Sequence, residues 1–199
     1  MATVDVLFVG YASERVAGTV SCLRDGPMVA IVDPGMVPHR SAILDPLRAL
    51  GLEADQVTDV ILSHHHPDHT MNVALFENAR VHDIWAIYEG DVWIDRAADG
   101  AHLSPGVRLL ATPGHTAQDI TTLVDTDGGT VALTHLWWDA TSQSDPLAED
   151  VDALHAGRAR VLEVAALIVP GHGAPFEPAR PGRASGRPHP DDQADTAAG

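Results

Sequence analysis

The sequence predicts one mixed α/β domain, and three observations carry that expectation. Short apolar runs of strand length recur along the chain, and some read as buried on both faces. Helix-period patterns lie between them, clearest after Ser41 and after Glu149. Four of the strands are followed within four residues by a histidine.

In chain order, residues 4–9 read as a first strand, closed by Gly10, and residues 18–23 as a second. Asp25-Gly26 is a hairpin turn into residues 28–32, a run apolar enough to be covered on both faces, which stops at Asp33-Pro34-Gly35. From Ser41, Ile43, Leu44, Leu47 and Leu50 recur at helix spacing until Gly51; Pro46 makes the first turn irregular or delays the helix. Residues 57–62 form the strand before the main histidine loop, and residues 70–76 a short helix with Met71, Ala74 and Leu75 on one side. Residues 80–84 make another strand; between Trp85 and Ser104 the pattern suggests only a hairpin or rim around Glu89-Gly90-Asp91. Strands follow at 107–111, 120–124 and 130–134, the last two joined by a turn at Asp127-Gly128-Gly129. Residues 149–165 are the best amphipathic helix, and residues 166–169 the last buried strand.

Of the 199 residues 45% are hydrophobic, the balance of a globular chain long enough for a substantial core. The formal charge is −16, and every basic residue is arginine. Such acidity repels polyanions, so nucleic acid is not an expected partner. The absence of lysine removes Schiff-base chemistry and a phosphate-gripping P-loop lysine. No run is long enough to span a bilayer and no secretory leader is evident, so a cytoplasmic protein without a membrane partner is expected. Cys22, the single cysteine, reads as core in a reducing compartment.

The chemistry concentrates in Ser63-His64-His65-His66-Pro67-Asp68-His69. In extended chain, alternate side chains share a face, so His64 and His66 point one way and His65 the other. Pro67 bars helical geometry at His66 and bends the chain there. The same event recurs at Ala111 with His115, Thr134 with His135, and Val169 with His172. Ligands in open α/β sheets gather beyond the carboxyl ends of strands, so these loops are expected to build one shared metal site.

These residues resemble the metallo-β-lactamase fold superfamily of metal hydrolases. The matches are His64-x-His66-x-Asp68-His69, Pro113-Gly114-His115-Thr116 and Pro170-Gly171-His172-Gly173, with Ile31-Val32-Asp33-Pro34-Gly35 similar to the family's early strand. Asn72 to Phe76, Gln118-Asp119-Ile120 and the run from Val169 to Phe176 look most like the metallo-β-lactamase domain-containing protein 1 group. The resemblance implies an αββα four-layer sandwich, an α/β fold, over residues 1–178. By composition, residues 179–199 read as a flexible C-terminal tail. It also implies two divalent metal ions, zinc first, with iron or manganese as alternatives. His64, His66 and His115 would hold one, and Asp68, His69 and His172 the other. Asp68 would be both ligand and catalytic group, orienting the nucleophile and passing a proton.

One position departs from the pattern. The superfamily usually places a bridging aspartate, in a Gly-Asp pair, where this chain has Thr134-His135. An imidazole has one free nitrogen for a metal and cannot bridge as a carboxylate does. His135 then binds the second metal alone, or Asp139 supplies the missing carboxylate, or the second position is weak; the first reading is preferred. The function expected is hydrolysis of a small ester, thioester, lactone or lactam by metal-bound hydroxide, an anionic substrate group being favoured by the lost carboxylate. The alternatives are a phosphodiesterase or endoribonuclease like a member of the closest group, an iron enzyme using oxygen, and a non-enzymatic metal-binding protein. Asp33 is expected to hydrogen-bond a ligand histidine or to cap its turn, and His65 to be a hydrogen-bonding loop residue. His39, His82, His102, His155 and His189 are expected at the surface. Trp85, Trp93, Trp137 and Trp138 either line a pocket or pack in the core.

Overall fold

The computed structural model describes residues 1–179. Two sheets stack face to face, and one longer helix covers each outer face. The first sheet has the order β1 (Thr3–Phe8), β4 (Val20–Asp25), β5 (Met28–Val32), β6 (Asp59–Ile61), β7 (Arg80–His82), β8 (Ala86–Glu89), β9 (Val92–Asp95). Between β1 and β4, β2 (Tyr11–Ala12) and β3 (Val16–Ala17) make a small separate hairpin. The second sheet has the order β10 (His102–Ser104), β11 (Val107–Ala111), β12 (Ile120–Thr126), β13 (Gly129–Thr134), β14 (Ala165–Pro170). Helix α1 (Ser41–Ala49) lies on the first sheet and α3 (Val151–Val164) on the second.

Three apolar clusters separate these four layers. Leu23, Ala30, Val32, Ile61, Leu109, Val124, Leu133 and Val169 fill the space between the sheets. Val20, Cys22, Ile31 and Val60 meet Ile43 and Leu47 of α1. Leu123, Ala132 and Ile168 meet Leu154 and Val161 of α3. Neighbouring residues of one strand thus serve different layers: Ala30 and Val32 face the opposite sheet, while Ile31 faces α1. That is why β5 is apolar at every position. The expected αββα sandwich is the observed fold.

The parallel pairs β5–β6–β7 and β13–β14 send their carboxyl ends to the same edge, where the histidine loops emerge. At the β4–β5 hairpin, Gly26 takes a positive φ of 59°, and Asp25 pairs with Met28. The indistinct region after Trp85 is a hairpin, β8 with β9, in which Glu89 pairs with Val92.

The structure corrects three local expectations. Residues 70–76 are not one helix: α2 spans Pro67–Thr70, and a separate 3-10 turn spans Val73–Leu75. Asn72 breaks the run, because its backbone N–H donates to Pro34 O and its side chain to Gly35 O. Met71 is consequently exposed. Helix α1 runs unbroken through Pro46. His82, expected at the surface, is buried, with Nε2 2.7 Å from Oδ1 of the equally buried Asp59; Arg80 closes the same carboxylate. His39, His102 and His155 are exposed as expected, and Cys22 is buried core. His189 and residues 180–199 of the expected tail fall outside the described residues.

Candidate metal centre

The loop after β6 brings His64 and His66 together with His115, which follows β11. His64 Nε2 lies 3.0 Å from His66 Nδ1, and His115 Nε2 lies 3.1 Å from the same atom. Three imidazole nitrogens converging in this way match donors around one ion: metal–nitrogen bonds of about 2.0–2.1 Å at tetrahedral angles separate donors by about 3.3 Å. The far nitrogens are tied down. His64 Nδ1 meets Ser63 Oγ at 3.0 Å, and His115 Nδ1 meets Asp145 Oδ2 at 2.8 Å. Burial pushes the His64 imidazole far below its ordinary pKa, and lowers His115 against the opposing pull of Asp145. Both rings therefore present lone pairs at neutral pH, the state a metal requires. His66 is exposed, so this triad opens to solvent.

A second triad lies beside the first. Asp68 Oδ2 is 3.4 Å from His69 Nε2 and 3.5 Å from His172 Nε2. His69 Nδ1 meets Asp33 Oδ2 at 2.9 Å, and His172 Nδ1 donates to Ala17 O at 3.0 Å. Asp33 thereby takes the first of its two expected roles; its Oδ1 accepts from Ser63 N at 2.7 Å, in the histidine loop, instead of capping its own turn. It does so at φ 52°, the left-handed conformation that aspartate tolerates better than most residues. Asp68 is placed through its own carbonyl, which accepts from Gly18 N and Met36 N. A Cβ at either Gly18 or Gly35 would strike that carbonyl, so both glycines are needed here.

The donor set of this triad fits a cation. Burial lowers the pKa of His69, but the carboxylates of Asp33 and Asp68 outweigh it and raise it to about 9. Its Nε2 is buried and makes no hydrogen bond among the described residues. The surroundings pull positive charge onto a buried atom that faces a carboxylate and another imidazole nitrogen. A metal ion in the proton's place answers that pull.

His135, from the end of β13, sits between the triads. Its ring centroid is 4.6 and 4.2 Å from those of His64 and His115, and 4.9 and 5.0 Å from those of His69 and His172. Its Nε2 lies 3.0 Å from His172 Nε2. The ring is buried, and its Cδ2 lies against Gly171, where a Cβ would collide with it. Asp139 does not join the cluster: its Oδ1 accepts from Thr141 N, Thr141 Oγ1 and Ser142 Oγ, capping a turn.

The metallo-β-lactamase superfamily model matches residues 18–174. A metallo-β-lactamase domain-containing protein 1 from Xenopus laevis is 33% identical over 87% of this chain and 81% of its own length. The chain belongs to the metallo-β-lactamase superfamily. It is a metallo-hydrolase of that family. A candidate metallo-β-lactamase from Thermotoga maritima superposes with a TM-score of 0.73 at 22% identity, covering 89% of this chain and 99% of that one. A dizinc quorum-quenching lactonase, solved with its product N-hexanoyl-L-homoserine, superposes at 0.58 with 18% identity, covering 78% and 72%. Both likenesses concern the fold.

Against the superfamily pattern, His64, His66, Asp68, His69, His115, His135 and His172 all come to one cluster. Sequence reasoning found Asp33 among the residues that hold it and missed others. Asp145, buried in the loop after β13, carries no sequence signal beyond one aspartate among several polar residues. Asp119 matched the family pattern without an assigned role. It accepts from Thr116 N and Oγ1, lies 3.8 Å from His64 Nδ1, and is pushed by burial up to about 7. Arg158 of α3 carries a charge among apolar residues of the helix, and nothing in its local pattern tells what it binds. It is buried, donating to Leu136 O at 2.8 Å and Gln143 O at 2.6 Å, with its guanidinium 5.2 Å from the Trp137 ring centroid. His65 turns away from its neighbours to Asp83, as expected.

Proposed function

We propose that this protein is a dinuclear zinc hydrolase acting on a small ester, thioester, lactone or lactam. The observation that carries the reading is the convergence of two adjacent triads, each braced from behind by a hydrogen bond to every buried histidine. His64, His66 and His115 would hold one ion. Asp68, His69 and His172 would hold the other, with His135 as a further nitrogen donor in the place of a bridging carboxylate. Six imidazoles and one carboxylate suit zinc better than a hard, oxygen-seeking ion. A bound zinc-type ion supplies Lewis acidity and brings the pKa of coordinated water to about 7.

The chain's own residues do the rest. Asp68 is ionised: burial raises its pKa, but the adjoining His69, 3.4 Å away, and the nearby His172 bring it to about 2. It can therefore take a proton from the attacking water and return it to the leaving group. His66, on the exposed side, marks where substrate enters. Nothing polyanionic is favoured by a chain of charge −16, which supports a small substrate over RNA. The free, buried Cys22 supports a reducing, cytoplasmic setting. Residues 1–178 would act as one domain, with residues 179–199 outside its catalytic core.

The test is a hydrolytic panel of lactam, thioester, lactone and phosphodiester on zinc-loaded protein, with His66→Ala as the control. Turnover of a carbonyl substrate, lost in the variant, is expected. Turnover of the phosphodiester alone would refute the substrate class. Iron in place of zinc after native purification would refute the metal.

A further inference from the structure

Trp138 carries a polar group beside the metal centre that neither the triads nor their braces account for. Its ring centroid lies 5.4 Å from that of His172, 6.0 Å from His135 and 6.1 Å from His115, so it stands beside ligands of both triads. The backbone there is fixed, since Trp138 O accepts from His172 N at 2.8 Å. The residue is half-buried, yet its indole Nε1 is fully buried and has no hydrogen-bond partner among the described residues. Trp137 does the opposite, packing in the core against Phe176 beneath the Arg158 guanidinium. Successive indoles in this strap thus have different surroundings, Trp137 in the core and Trp138 beside the ligand rings. A buried unpaired N–H in a native fold asks for an acceptor from outside the chain. An indole donates and never accepts, so the partner must be an oxygen carrying a lone pair.

We propose that the Trp138 indole N–H is a catalytic hydrogen-bond donor to the carbonyl oxygen of the substrate at the bond being hydrolysed. The inference rests on the hydrolase reading above and narrows it to carbonyl substrates. As the water oxygen bonds to the carbonyl carbon, the π pair moves onto the carbonyl oxygen. That pair returns as the bond to the leaving oxygen, sulfur or nitrogen breaks, and the leaving group takes the proton held by Asp68. The N–H bond to the carbonyl oxygen is strongest when that oxygen carries most charge, so it accelerates the reaction rather than merely holding substrate.

Two measurements on zinc-loaded protein test the proposal. In the first, Trp138→Phe keeps an aromatic ring and removes the N–H. With N-hexanoyl-homoserine lactone as substrate, kcat should fall by about 10²–10³-fold, while KM and zinc content stay as in the wild type. An unchanged kcat overturns the proposal, as does an equal fall caused by lost zinc. The second needs neither turnover nor a variant. In wild-type protein labelled with 15N at the indoles, acetohydroxamate should move the Trp138 N–H signal downfield and slow its exchange with solvent. A Trp138 signal that stays still, whether or not the ligand-histidine signals respond, overturns the proposal. A Trp138 signal that moves in protein inactive on every lactone, thioester and lactam leaves the donor in place and refutes the hydrolase reading alone.

Discussion

At the scale of single residues, the centre is built from side chains that have lost every alternative. His135 shows this best: it is buried, its Cδ2 lies against Gly171, and its Nε2 is directed at His172 Nε2. A methyl group at residue 171 has no room except by displacing that ring. Gly171→Ala should therefore cost about 1–3 kcal/mol of stability, the usual cost of overpacking, and should weaken the second zinc together with it. Thermal unfolding and zinc titration on the same samples check this. A variant with wild-type melting and zinc affinity would show that the ring is not fixed by the glycine. The glycine was legible in the sequence as part of a motif, but its reason was not. A contact between residues 135 and 171 depends on the pairing of β13 with β14, which local patterning does not reveal.

At the scale of elements, the centre depends on how its loops are tied to the layers beneath. Arg158 ties the strap after β13 to α3 at two carbonyls, Leu136 O and Gln143 O, and that strap carries Trp138 and Asp145. Arg158→Met keeps the volume and leaves both carbonyls without their donor. Each buried carbonyl so orphaned costs about 1–3 kcal/mol, and denaturant unfolding should show a loss in that range or somewhat above it. A loss well under 1 kcal/mol would mean that the strap is held by other contacts. The opposite end of the first sheet is pinned by Asp59 between His82, Arg80 and Thr58. Burial raises the pKa of Asp59, but the hydrogen bonds from His82 and Thr58 and the charges of His82 and Arg80 bring it below the ordinary carboxylate value. A carboxylate depressed in the folded state adds stability above its unfolded pKa of about 3.9, and that stability is lost as the pH falls through the folded value. Asp59→Asn should flatten the loss of stability on acidification below about pH 4; urea midpoints measured across that range check it, and parallel acid limbs would contradict it.

At the scale of the whole molecule, the alternation of each strand between two layers made the sandwich readable. β5 was legible as doubly buried because all its positions are apolar, and the histidines at four strand ends marked the edge where the site lies. What the sequence hid was long-range. The loop holding Asp145 has no periodicity, His82 resembles any surface histidine until Asp59 is placed opposite it, and Arg158 is a charge at helix spacing from the apolar Leu154 and Val161, with nothing local to announce the carbonyls it meets. Buried polar groups of this kind become visible only with their partners. The central claim is that one acidic chain gathers two neighbouring metal positions at one sheet edge. Native mass spectrometry of zinc-loaded wild type and His135→Ala tests it most directly. The wild type should carry two zinc ions per chain, and the variant should keep the first while binding the second more weakly. A wild type that takes up a single ion, or a variant that holds two as tightly as the wild type, would contradict it.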